Sequence, residues 1–204
     1  MTAQIGDSYS YKGGDYSIVA MSIPLRFDPR FYGFKPECVT TGCWNGYWCK
    51  YNISEDGIFL DKLFIHCANN EYPELNGKSF EVDENGQPVE YIGHRIYNDL
   101  NMKIKYHGKI LVGDEFIHDY YVHMGYQRAY AYKVLKEFVF QNGNLIDVID
   151  HSAMAESLRA QEEAKKNMKS SLSEELVDSD EENIQEFVET SFSLDYKDKC
   201  WWID

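Results

Sequence analysis

The sequence predicts a mainly β fold. We read an antiparallel meander over residues 5–150 that forms a curled sheet or partly open barrel, with a short helix near 114–124 and a helical, acidic C-terminal segment. Three observations predict it. Aromatic residues make up 15% of the 204-residue chain, including 16 Tyr and 11 Phe, and such side chains favour half-buried pleated surfaces. Turn dipeptides recur: Gly13-Gly14, Asp56-Gly57, Asn85-Gly86, His107-Gly108 and Asn142-Gly143. These supply the positive φ that tight hairpins require. Residues around them alternate in character, the period of a strand with one buried face.

Taken in order, Tyr9 and Tyr11 lead into the first turn, and Tyr16, Ile18 and Ala20 leave it. CWNGYWCKYNIS, EDG and IFLDKLFIH, between Cys43 and His66, read as one hairpin, and MKIKY, HG and KILVG as another. DEFIHDYYVHMGYQRAY departs from the rhythm. Phe116, Ile117, Tyr120, Tyr121 and Met124 have helical spacing, with Asp114 as cap and Gly125 as stop. Phe138, Phe140, Leu145, Val148 and Ile149 flank Asn142-Gly143 as a final hairpin.

Composition changes near residue 152, so the chain divides into a β domain over 1–152 and an extension over 153–204. Ser152 is placed to cap a helix that carries Arg159–Glu163 and Glu162–Lys166 pairs and a thin apolar stripe of Met154, Leu158 and Met168. Ser179 and Glu182 form a capping-box pattern before Ile184, Phe187 and Val188. From Ala153 onward there are fourteen acidic and six basic residues, eight of the chain's fourteen net negative charges. Trp201, Trp202 and Ile203 end the sequence, and an apolar tail of this kind either docks back or meets a partner.

The charge of −14 speaks against direct nucleic-acid binding, which needs cations to neutralise phosphates, and against an anionic membrane surface. It suits a basic protein partner. No run approaches about 18 apolar residues. The first twenty residues have neither a basic start nor a continuous apolar core, so the expectation is a cytoplasmic protein whose five cysteines are reduced.

Within CWNGYWCKY, read as a strand, Cys43, Asn45, Tyr47 and Cys49 share one face. Cys43 and Cys49 would then stand about 20 Å apart, beyond disulfide reach. The cysteine spacings do not match a structural zinc site, and no metal or cofactor is expected. DEFIHDYYVH gathers Asp114, Glu115, His118, Asp119 and His123. His118, Asp119 and His123 are the candidates for acid–base chemistry, since imidazole titrates near neutrality and a carboxylate can tune it. Arg128 between Tyr126 and Tyr130, and Arg95 in YIGHRIY, are candidates for holding a planar or anionic ligand. No phosphate-binding loop, dinucleotide fingerprint, nucleophile elbow or kinase set is present.

The functional expectation is a non-enzymatic binding protein: an inhibitor, immunity protein, antitoxin or scaffold for a basic partner. Its contact residues would be Asp178, Asp180, Glu181, Glu182, Trp201 and Trp202. An acidic, β-rich domain without catalytic signatures is similar in kind to bacterial immunity and defence proteins, by class rather than by motif. The alternatives are a barrel that binds a small ligand and a hydrolase-like enzyme using His118, Asp119 and His123.

Overall fold

The computed structural model describes residues 2–25, 27–171 and 190–200, with side chains omitted for 165–171. The described residues form one ten-stranded mixed sheet, curled but not closed into a barrel. Its strands are β1 (Ser8–Tyr11), β2 (Gly14–Met21), β3 (Tyr47–Ser54), β4 (Gly57–Ile65), β5 (Glu90–Tyr91), β6 (His94–Tyr97), β7 (Met102–Ile104), β8 (Gly108–Phe116), β9 (Tyr132–Gln141) and β10 (Asn144–Asp150). Spatial order is β10-β9-β8-β2-β1-β3-β4-β6-β5, and β7 pairs with β4.

Local turn chemistry sets three hairpins. Lys12 and Gly13 (φ 48° and 84°) join β1 to β2, and Asn142 and Gly143 (φ 52° and 85°) join β9 to β10. Positive φ at both central residues is the turn whose twist matches the strands. The β3–β4 hairpin pairs Ser54 with Gly57, as its sequence predicts.

Three expectations are corrected. The sheet is not a pure meander, because β1 runs parallel to β3. MKIKY and KILVG do not form a hairpin: β7 pairs with β4, while β8 pairs with β2 and β9. The strand alternation of Asp114–Phe116 overrides the helical spacing there, since all three belong to β8. The short helix near 114–124 is a single 3₁₀ turn, His118–Tyr120, and Asp114 does not cap it.

The curl encloses one core. Tyr9, Tyr51, Ile58, Leu60, Leu63, Tyr97, Phe138 and Phe140 fill it, each 2% exposed or less. Burying a side chain of this size contributes about 1.5–3 kcal/mol. The β10 edge curls back onto the β3–β4 turn, where the Leu145 amide donates to the Glu55 carbonyl and Gly57 lies against the Gly143 carbonyl. Asp7 stands at the core's margin. Its carboxylate accepts from the Cys49 amide at 2.8 Å, and burial pushes its pKa up to about 6.

A second, smaller cluster lies on the outer face, where Val19, Ala20, Leu111 and Leu135 meet Ala155 of α1 (Ser152–Ser171) and Cys200. The Ser152 hydroxyl accepts from the Leu135 amide, and the Asp150 carboxylate takes the Ser152 amide, so Asp150 serves the helix start. Ala155 and Leu158 are buried, whereas Met154 is exposed. Arg159 donates to the carbonyls of Tyr130 and Tyr132.

Residues 190–200, including α2 (Tyr196–Lys199), dock on the same side. Met21 donates to the Leu194 carbonyl, and Tyr126 to that of Ser191. Under this segment Glu137 is fully buried, with Lys109 at 3.3 Å, His151 at 3.5 Å and the Tyr196 hydroxyl at 3.3 Å. Among the described residues no helix is long and apolar enough to cross a membrane.

Candidate interaction surface

Cross-strand pairing assembles an aromatic layer on the outer face of the opposite half of the sheet. Trp48 of β3 stands opposite Phe64 of β4, and their rings stack at 4.8 Å and 5°. His94 of β6 packs edge-on to Trp48 at 4.6 Å, and Tyr91 of β5 lies 6.0 Å from both Trp48 and Phe64. Edge and offset-stacked rings contribute about 0.5–1.5 kcal/mol each beyond their burial.

The tip of the β5–β6 hairpin closes this layer. Ile92 and Gly93 adopt φ 52° and 75°. Their carbonyls accept imidazole protons, Ile92 from His94 Nδ1 at 2.8 Å and Gly93 from His66 Nδ1 at 3.1 Å. A carbonyl only accepts, so this network assigns the proton of each ring to Nδ1. His94 Nε2 is left as a buried lone pair with no hydrogen-bond partner. Burial, reinforced by His66, holds the pKa of His94 below the usual imidazole value.

The first half of CWNGYWCKY is a turn rather than a strand, which corrects the reading of its faces. The His66 amide donates to the Gly46 carbonyl, and Glu37 donates to that of His66. Gly46 has φ 74°, and a Cβ there would meet the Glu37 carbonyl oxygen at 2.5 Å. Only glycine fits, because both the left-handed backbone and the close approach exclude a side chain. The turn also removes the extended run on which the separation of about 20 Å expected of Cys43 and Cys49 rests. Both buried thiols are pushed up chiefly by burial, with the Asp7 carboxylate adding to it. It leaves Trp44 outside, stacked on Phe192 at 5.3 Å, beside a groove shared with Arg30, Pro36 and Tyr47.

Beyond β5 the chain runs as an exposed ribbon. Glu81 donates its amide to the Ile96 carbonyl, Val89 to that of Glu81, and Asp83 to that of Gln87. Asp83 Oδ1 also accepts from the Asn85 and Gln87 amides, which fixes the turn. From Ser79 to His94 the sequence has four acids, Glu81, Asp83, Glu84 and Glu90, and neither Lys nor Arg. Val82, Tyr91 and Ile92 are 51%, 54% and 49% exposed, and Val39, against Gly93, is 47% exposed. Arg95 follows this run and is engaged by Glu90 at 2.6 Å and by the Tyr72 and Phe80 rings. The result is an apolar centre on a rigid aromatic base with an acidic border.

Of the residues singled out in the sequence, Arg95 lies at this surface, held by Glu90, and the other described ones fall elsewhere. His118 and Asp119 are exposed on the 3₁₀ turn, the His118 ring against Phe116 and the His123 ring against Tyr121. Tyr126 joins Phe116, Tyr121 and Tyr132 in a pocket of about 270 Å³, and Tyr130 packs on Tyr120. The Tyr126 carbonyl and that of Ser191 accept from Lys199, whose pKa burial, with Arg128 nearby, pushes down to about 8. Arg95 lies far along the sheet from Arg128, with β8, β2, β1, β3 and β4 between their elements. Asp178, Asp180, Glu181, Glu182, Trp201 and Trp202 lie outside the described residues, as does the capping-box pattern at Ser179. The described residues hold no group of three or more His, Cys, Asp or Glu side chains placed to bind a metal.

Sequence reasoning missed the 79–94 ribbon. Its signal was legible as sixteen residues without a cation in a stretch of low apolar periodicity. Comparison with models of known protein families, with curated proteins and with solved structures finds no match.

Proposed function

We propose that this chain is a non-enzymatic binding protein that docks a basic partner protein on the acidic ribbon and the apolar residues beside it. The observation that carries this reading is the pairing of exposed Val82, Tyr91 and Ile92 with Glu81, Asp83, Glu84 and Glu90 on one ribbon that contains neither Lys nor Arg, with exposed Val39 against Gly93 beside it. Apolar centres with polar rims are the anatomy of protein interfaces, and complementary charge speeds encounter and makes it sensitive to salt. An inhibitor, immunity protein or scaffold of the bacterial conflict type would use such a face, in the cytoplasm. The acidic run from Asp178 to Glu182 and the Trp201–Trp202 tail would add a second contact.

The test compares wild type with a Glu81→Lys/Glu84→Lys/Glu90→Lys variant, which leaves the Asp83 turn intact. Each is used to capture protein from host lysate at low and high salt, and the recovered partner is then purified for affinity measurement. We expect a basic partner that binds wild type at low salt and binds the ribbon variant at least about tenfold more weakly. The same partner binding both proteins equally would remove the ribbon from the interface. Equal binding of a variant neutralised at Asp178, Asp180, Glu181 and Glu182 would remove the C-terminal contact.

A further inference from the structure

At the far end of β4 from the β5–β6 tip, the β7–β8 connection and the β9–β10 turn flank an open cleft of about 570 Å³. Ligand-sized clefts run from about 300 to 1,000 Å³. Ile23, Pro24 and the Tyr106 ring form its apolar wall, and Lys105, His107 and Asn142 its polar one. Among the described residues no carboxylate lines it, in a chain with 34 acidic residues.

The walls are fixed by hydrogen bonds. The Tyr106 hydroxyl donates to the Ile23 carbonyl at 2.8 Å, and the Gly143 amide donates to the Tyr106 carbonyl at 2.9 Å. The Lys109 amide donates to the Ser22 hydroxyl at 2.8 Å, and the Ser22 amide to the Lys109 carbonyl. Gly108, at φ 148°, lets the two segments approach, since a Cβ there would lie 2.8 Å from the Ser22 hydroxyl. The cleft is therefore formed without a ligand, which lowers the cost of binding one. Lys105 is exposed and enters no ion pair among the described residues.

We infer that this cleft binds a small organic carboxylate with an apolar body. Lys105 is the one lysine or arginine among the described lining residues, and a single fixed cation matches a monoanion. A phosphate dianion would call for more fixed cations or a nest of free backbone amides. The Asn142 amide supplies a neutral donor to a carboxylate oxygen. Ile23, Pro24 and Tyr106 offer the apolar contact that gives a carboxylate with a hydrocarbon body its advantage over a bare anion.

The experiment is a ¹H–¹⁵N NMR titration of the full-length protein with 3-phenylpropanoate, its uncharged amide and inorganic phosphate. With the carboxylate we expect saturable shifts at Ile23, Lys105, His107, Asn142 and Gly143. With the amide, or with the carboxylate and Lys105→Gln, affinity falls by about tenfold or more; Lys105→Arg stays within about threefold of wild type. Lys105 is exposed, so these variants keep the fold, and their unchanged spectra elsewhere verify it. Three outcomes overturn the inference: no saturable shift at these residues up to about 10 mM, equal binding of the amide, or equal binding of phosphate.

Discussion

Over β2, β8 and β9 the outer face of the sheet lies beneath α1 and residues 190–200. Over β3, β4 and β6, among the described residues, it lies beneath its own rings and the β5–β6 tip. The first half uses small side chains, Ala20, Ala129, Ala131 and Ala155, because a helix and a docked segment need close approach. It also tolerates a buried Glu137, since Lys109, His151 and Tyr196 surround the carboxylate. The second half uses Trp48, Phe64, Tyr91 and His94, large rings that shield one another without another layer. That solution leaves Tyr91 and Ile92 about half exposed at the top, so the two halves differ in construction: among the described residues one is covered by a helix and a docked segment, the other by its own rings.

The sharpest way to break this contrast is Trp48→Ala. Trp48 is 7% exposed at the centre of the aromatic layer, so we expect a loss of about 3–5 kcal/mol, read as a shift in the denaturation midpoint. A loss below about 1 kcal/mol would mean the layer is not a cohesive unit. Leu158→Ala comes next. It removes the larger of the two buried apolar side chains of α1 among the described residues and should cost about 2–3 kcal/mol. Hydrogen exchange should speed up in α1 before it does in β3 or β4. Simultaneous opening of both halves would show that they are one cooperative unit.

The third effect depends on pH. Protonating His94 places a charge at a buried nitrogen with no acceptor. Its folded pKa lies below the unfolded value of about 6.5, so below that pH the unfolded chain binds more protons. This contribution to stability is therefore complete above about 6.5 and is lost as pH falls further. His94→Phe should remove the part of the acid sensitivity that arises here. If denaturation of the variant between pH 7 and pH 5 tracks wild type, the buried nitrogen is not its source. The smallest stability effect is expected for Tyr91→Ala with Ile92→Ala. Both side chains are about half exposed, so stability should change by only about 1 kcal/mol while partner affinity falls about tenfold or more. Unchanged affinity would show that the exposed apolar residues are not the docking centre.

Turn chemistry was the most readable part of this fold. Gly13, Asp56-Gly57 and Asn142-Gly143 each set a hairpin from adjacent residues, and a local signal needs no knowledge of the rest of the chain. The parallel pairing of β1 with β3 and the transfer of β7 to β4 join segments far apart in sequence, and alternation alone does not name a partner strand. The turn at Cys43–Gly46 was hidden by aromatic alternation that continues into β3. What decides it is the approach of Glu37, a contact made only in three dimensions. At the candidate surface the acids were visible as letters. The burial of His94 and the stacking of Trp48 on Phe64 required the register of β3, β4 and β6.

The five cysteines are all free, and only Cys38 is exposed. Burial pushes the Cys43 thiol up to about 11 and Cys200 to about 12, and raises Cys49 and Cys67 as well. Thiolate is the reactive form, so a maleimide dye added to the native protein should attach at a single position. That position precedes Val39, which lies against Gly93 at the border of the aromatic layer, and places an environment-sensitive fluorophore beside the exposed Tyr91 and Ile92 without introducing a mutation.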